Sequence, residues 1–111
     1  MAKLDQYREY IQNLLTNYGS YQPSEEDVEI QLIFDTARDH YQILEIGWDG
    51  YDRIYNCVIH LDIKGEKIWI QHNMTDIQIA EDLTEMGVSK EDIVLGLQPS
   101  YLRQYTQYGV A

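Results

Sequence analysis

The sequence predicts an α+β fold: an N-terminal helix, a four-stranded antiparallel β-meander, and two to three C-terminal helices packed on one face of the sheet. Three observations predict it. Apolar residues recur every three or four positions at the start of the chain. They alternate with polar residues through the middle. The last third carries helix-capping and helix-stopping residues around a second apolar stripe.

Leu4, Tyr7, Ile11, Leu14, Leu15 and Tyr18 lie on one face of an amphipathic helix spanning about residues 3 to 18. Gly19 is expected to stop it, and GSYQPSEED reads as a loop broken at Pro23. The period then changes to two. In VEIQLIFD, Val28, Ile30, Leu32 and Phe34 share a side, with Glu29 and Gln31 opposite. In YQILEIGW, Leu44, Ile46 and Trp48 alternate with Ile43 and Glu45. In NCVIHLDI, Cys57, Ile59, Leu61 and Ile63 share a face, and KIWIQH supplies Ile68 and Ile70.

Asp49-Gly50 is a strong hairpin signal. A two-residue Lys64-Gly65 loop sets Asp62 opposite Lys67, His60 opposite Trp69, Leu61 opposite Ile68 and Ile59 opposite Ile70. His72 then shares the aliphatic face, near Cys57. Further on, Thr75 and Gln78 form a capping box, with Ile77, Ala80, Leu83 and Met86 as the stripe and Gly87 as the stop. Ser89 caps a second short helix, with Asp92 at its third position and Val88 stapled to Ile93. Pro99 suits the start of another helical turn that buries Tyr101, Leu102 and Tyr105.

The chain has 111 residues, enough for one domain, assigned to 1-111, and 44% hydrophobic content, which is ordinary for a globular fold. No apolar run approaches the roughly 20 residues of a membrane span, and MAKLDQYREY lacks the shape of a signal peptide, so a soluble cytoplasmic protein is expected. Cys57 is the single cysteine and cannot form an internal disulfide; with three scattered histidines it makes no zinc framework. No cofactor is expected.

Charge narrows the function. Nineteen acids against eight bases give a net charge of −11. Nucleic-acid binding draws most of its affinity from Lys and Arg displacing phosphate counterions. Few such residues are present and none cluster, so direct nucleic-acid binding is not expected unless Arg8, Arg53, Lys64, Lys67 and Arg103 converge in space. Ten tyrosines and two tryptophans point instead to an aromatic contact surface, with Trp48, Tyr51, Tyr55 and Trp69 near one another across the sheet.

Catalytic signals are thin. His72 near Cys57 is a weak nucleophile-base pair. Asp35, Asp39 and His40, with Arg38, fit either a polar hairpin loop or a metal-dependent hydrolase or nuclease centre. Asp49 and Asp52 lack the ligand spacing of a calcium loop.

Several stretches carry a resemblance: FDTARDHYQ at 34–42, GWDGYDRIYNCVIHLDIK at 47–64, KIWIQHN at 67–73, SKEDIVLGLQP at 89–99, and the RQYTQYGVA ending. Together they resemble the XisI family, the fdxN element excision controlling factors of cyanobacteria. The resemblance implies control of programmed DNA-element excision during heterocyst differentiation. It also implies a nuclease-like companion of the XisH type, with a separate recombinase making the cuts, and it carries no catalytic residue. Joined to the charge argument, it makes the chain an accessory factor that binds a basic protein. The surface expected to do so comprises Arg38, Asp39, His40, Trp48, Asp49, Tyr51, Asp52, Trp69, Tyr101 and Tyr105. A homodimer is a further expectation, because exposed aromatics on a meander's outer face need covering.

Overall fold

The computed structural model describes residues 2–20 and 27–110. Helix α1 (Ala2–Ser20) precedes four strands, β1 (Val28–Asp35), β2 (His40–Asp49), β3 (Asp52–Lys64) and β4 (Lys67–Asn73). Helix α2 (Ile79–Met86) follows. A single 3-10 turn (Lys90–Asp92) leads into a two-residue strand β5 (Ile93–Val94), and helix α3 is one turn, Ser100–Arg103. The sheet order is β1-β2-β3-β4-β5. The first four strands form the antiparallel meander, and β5 adds to β4 in parallel. The sheet is therefore five-stranded and mixed.

The helix-period stripe does what its spacing requires. Tyr7, Ile11, Leu14 and Leu15 are buried against Tyr41, Ile43, Ile59, Leu61, Ile68 and Ile70 of the sheet, and Ile79 and Leu83 of α2 extend the same core. One face of the sheet is thus covered. Among the described residues the other is open over β2, where it carries Gln42, Leu44, Ile46 and Trp48, alternating with the buried positions. α1 runs through Gly19 to Ser20. The loop expected at GSYQPSEED, with its Pro23 breaker, falls largely on 21–26 and lies outside the described residues.

Two bulges reset the faces. From the β2–β3 turn, pairing runs without a break as far as Leu44↔Cys57, then shifts by one at Ile43↔Ile59, leaving Val58 as the extra residue. Leu44 and Ile43 point to opposite faces, so their partners Cys57 and Ile59 do too. Cys57 belongs to the open face, not to the aliphatic one. A second shift between Leu61↔Ile70 and His60↔His72 leaves Gln71 as the extra residue. It moves His72 off the aliphatic face as well, so both members of the weak Cys57-His72 pair lie on the open face and not on the one expected.

The β3–β4 turn is Gly65-Glu66 rather than Lys64-Gly65. Both residues have positive φ, 56° and 65°, as a primed two-residue hairpin turn demands. Ile63 pairs with Ile68, Leu61 with Ile70 and Asp62 with Trp69. The slip is two residues, which preserves the faces and changes every partner.

The C-terminal third departs further from expectation. α2 starts at Ile79 with no side-chain cap, and Thr75 instead sits in a turn closed by Asn73, whose Oδ1 accepts the Thr75 N–H at 2.8 Å. The Ser89 helix is only the 3-10 turn, because Ile93 and Val94 leave it as β5. α3 buries nothing: Tyr101, Leu102 and Tyr105 are exposed. α3 also departs from the packed side, since its Arg103 reaches Trp69, which faces away from the core.

Two polar clusters tie α1 down. The Tyr7 hydroxyl donates to Asp92 Oδ2 at 2.6 Å, and Lys3 Nζ lies 2.9 Å from the same oxygen. Arg8 grips Asp39 with both prongs, at 2.8 and 3.1 Å, and the Tyr41 hydroxyl adds a third bond to that carboxylate at 3.0 Å.

Candidate functional site

The most concentrated chemistry lies on the open face, at the centre of the sheet. His40 opens β2, and His60 and Asp62 stand two residues apart on β3. His40 pairs with Asp62, and Gln42 with His60. His40 Nδ1 is 2.9 Å from Asp62 Oδ1, and His60 Nε2 is 2.8 Å from the same oxygen. Gln71 Nε2 donates to Asp62 Oδ2 at 3.1 Å, and the Gln42 amide lies 3.4 Å from His60 Nδ1. Asp62 is 6% exposed, the more buried of the two buried acids among the described residues. Burial alone pushes its carboxyl up. The hydrogen bonds from His40, His60 and Gln71 outweigh that and hold it below the usual carboxylate range. A shallow depression lined by Ile33, Asp35, His40, Gln42 and His60 opens beside the cluster.

Extending the hairpin pairing from its turn without the bulge at Val58 would set His40 opposite Leu61. The bulge brings His40 to Asp62. The sequence hint was the adjacent apolar pair Val58-Ile59, which breaks strict alternation. His60, Asp62, Gln42 and Gln71 were not singled out from sequence, because their convergence depends on that shift.

The Asp35/Asp39/His40 grouping does not form a site. Asp35 accepts the Ala37 and Arg38 N–H groups at 3.0 and 2.9 Å and pairs with the Arg38 side chain at 3.4 Å. The loop N–H of Arg38 is the largest influence holding the Asp35 carboxyl low. Asp39 has a left-handed φ of 62° and turns inward to Arg8, whose guanidinium holds its carboxyl low. His40 turns outward to Asp62. Asp35 and His40 are partners across the β1–β2 hairpin and line the same depression, while Asp39 turns away to Arg8.

The expected contact residues split in the same way. Trp48, Asp49, Tyr51 and Asp52 gather at the β2–β3 turn, with Trp48 50% exposed, Tyr51 fully exposed and Tyr55 63% exposed beside them. Asp39 stands apart from them, its carboxylate held by Arg8 and Tyr41. Trp69 does not join Trp48: their partners on β3, Asp62 and Arg53, are nine residues apart, about 30 Å along a strand. Trp69 instead holds Lys64 Nζ 4.2 Å and the Arg103 guanidinium 5.1 Å from its ring centre. Tyr101 and Tyr105 are exposed around Arg103.

Of the five bases that direct nucleic-acid binding would need together, Lys64, Lys67 and Arg103 do gather near Trp69, since Lys64 pairs with Lys67 across the hairpin. Arg8 is held by Asp39, and Arg53 stacks on Trp48 at 5.2 Å near the opposite end. Among the described residues no helix is long and apolar enough to cross a membrane.

Comparison with known proteins bears on all of this. The family model described as XisI protein matches residues 1–110. The chain is similar to a solved XisI-like protein from Anabaena variabilis ATCC 29413, with 60% identity and a TM-score of 0.94, covering 97% of this chain and 99% of that one. It is also similar to the fdxN element excision controlling factor XisI from the same organism, with 34% identity and a TM-score of 0.89, covering 98% and 99%. No curated protein matches the chain.

Proposed function

The chain belongs to the XisI family, and we propose that it is a non-enzymatic accessory factor in the control of fdxN element excision, acting during heterocyst differentiation through a basic, nuclease-like protein of the XisH type. The observation that carries this reading is the aromatic-acidic end of the sheet. Trp48, Tyr51 and Tyr55 stand exposed beside Asp49 and Asp52. Large aromatics held out in water next to carboxylates suit an interface whose core is apolar and whose rim attracts cations. The half-buried Leu44 and Ile46 continue that surface along β2.

Direct action on DNA fits less well. The net charge of −11 repels phosphate. The three bases near Trp69 are a small patch, and two of them already lie over its ring, which a base would need free for stacking.

The test mixes purified chain with the purified XisH-type protein on a sizing column at low and moderate salt. A joint peak is expected, strongest at low salt. Trp48→Ala and Tyr51→Ala should weaken it by about tenfold or more without unfolding the chain, as centrally placed aromatics do. Independent elution at both salts removes the proposal. Self-association of the chain alone would assign the same surface to a homodimer instead. A gel shift at low salt with the chain alone should show nothing; a shift would favour the Lys64/Lys67/Arg103 patch.

A further inference from the structure

We propose that His40, His60 and Asp62 bind one divalent transition-metal ion on the open face of the sheet. One ligand atom from each residue lies within 4.8 Å of the others. Asp62 Oδ1 is 2.9 Å from His40 Nδ1 and 2.8 Å from His60 Nε2. Metal–ligand bonds of about 2.1 Å place neighbouring ligand atoms of an octahedron about 3 Å apart. Both nitrogens therefore already stand at coordinating separation from the carboxylate oxygen, and within 4.8 Å of each other. All come from adjacent central strands rather than loops, which fixes their spacing.

The surrounding groups suit a metal as well as they suit the hydrogen-bonded triad. Without an ion, each imidazole donates one N–H to Asp62 Oδ1. With one, those nitrogens must offer lone pairs instead. His60 can do this by moving its proton to Nδ1, where the Gln42 amide at 3.4 Å can rotate to present its oxygen. His40 has a half-exposed side chain, so water can hold the proton on its Nε2. Gln71 keeps hold of Asp62 Oδ2 throughout. Loading is then an exchange of tautomers with no net loss of protons from neutral rings.

Two imidazoles and one carboxylate on one side of an ion form a borderline donor set. It suits Zn²⁺, Co²⁺, Ni²⁺ or Fe²⁺ rather than Mg²⁺ or Ca²⁺, which take oxygen. The depression lined by Ile33, Asp35, His40, Gln42 and His60 leaves the remaining coordination positions reachable from solvent. The net charge of −11 raises the local concentration of cations.

The test uses the untagged full chain and two probes, Zn²⁺ by calorimetry and Co²⁺ by visible absorption. One ion per chain with a Kd on the order of micromolar is expected. His40→Gln and His60→Gln, each checked for folding by circular dichroism, should weaken binding about a hundredfold. Gln42→Ala, which touches no metal, should weaken it about tenfold by releasing His60. Mg²⁺ should not compete. The proposal is overturned if neither ion binds saturably below about 1 mM, or if affinity survives both histidine substitutions. Where a histidine variant unfolds, the Gln42→Ala titration decides alone.

Discussion

Replacing Tyr7 with phenylalanine removes one oxygen and tests how the N-terminal helix is held. The Tyr7 hydroxyl donates at 2.6 Å to Asp92, a buried carboxylate whose other partner is Lys3. Burial drives the Tyr7 hydroxyl pKa up to about 12, with the Asp92 charge adding to it. A buried hydrogen bond to a charged acceptor is worth about 1.5–3 kcal/mol, so Tyr7→Phe should cost about 2 kcal/mol at neutral pH. An unfolding entropy of about 0.23 kcal/mol/K for a chain of this length turns that into a Tm about 8 °C lower. Differential scanning calorimetry at several pH values supplies the control. Burial pushes the Asp92 carboxyl up, but the Tyr7 and Lys3 bonds outweigh it and hold it low. The stabilisation is therefore present above the unfolded value near 3.9 and lost as pH falls through the lowered folded value. The gap between parent and variant should shrink as pH drops from about 5 toward about 3. A variant melting within about 2 °C of the parent at pH 7, or a gap independent of pH, refutes the reasoning.

Two further outcomes concern single positions. An added Cβ at Gly47 would overlap the Asp27 carbonyl oxygen and lie 2.7 Å from Val28 Cα, so Gly47→Ala should cost about 3 kcal/mol or more in urea unfolding. Gly65→Ala meets no atom and should cost only about 1–2 kcal/mol, the penalty of a left-handed φ of 56°. Burial pushes the Cys57 thiol up, so iodoacetamide at about pH 8 should alkylate it at least about tenfold more slowly than a free cysteine, followed by mass spectrometry.

The helix α1, the four antiparallel strands and the covered face were legible because period alone reports them. Leu4 to Tyr18 and Val28 to Phe34 needed no tertiary information. The failures share a cause. β5, the short α2 and the missing caps depend on how 73–94 dock against β4, which no local propensity encodes. The β3–β4 register was misplaced because Gly65 can open a two-residue loop as readily as close one, and both choices keep Ile and Leu inside. The candidate site was the least legible part. His40 was noticed for its sequence neighbours Asp35 and Asp39, while its partner lies 22 residues away. Asp62 was expected to meet Lys67 on β4, and the one-residue bulge at Val58 that brings it to His40 on β2 went unread.

The two margins of the sheet are unequal, and that limits what the molecule can build. On the β5 side the C-terminal tail acts as a stopper: Gly109 bridges Val94, and its N–H donates to Ile93 O at 2.7 Å. On the β1 side an eight-residue strand ends the sheet, and Asp27, Glu29 and Asp35 line it with negative charge. Among the described residues, both margins are thus guarded against strand addition, one by a bridging tail and the other by like charge, so the sheet ends at each side instead of growing.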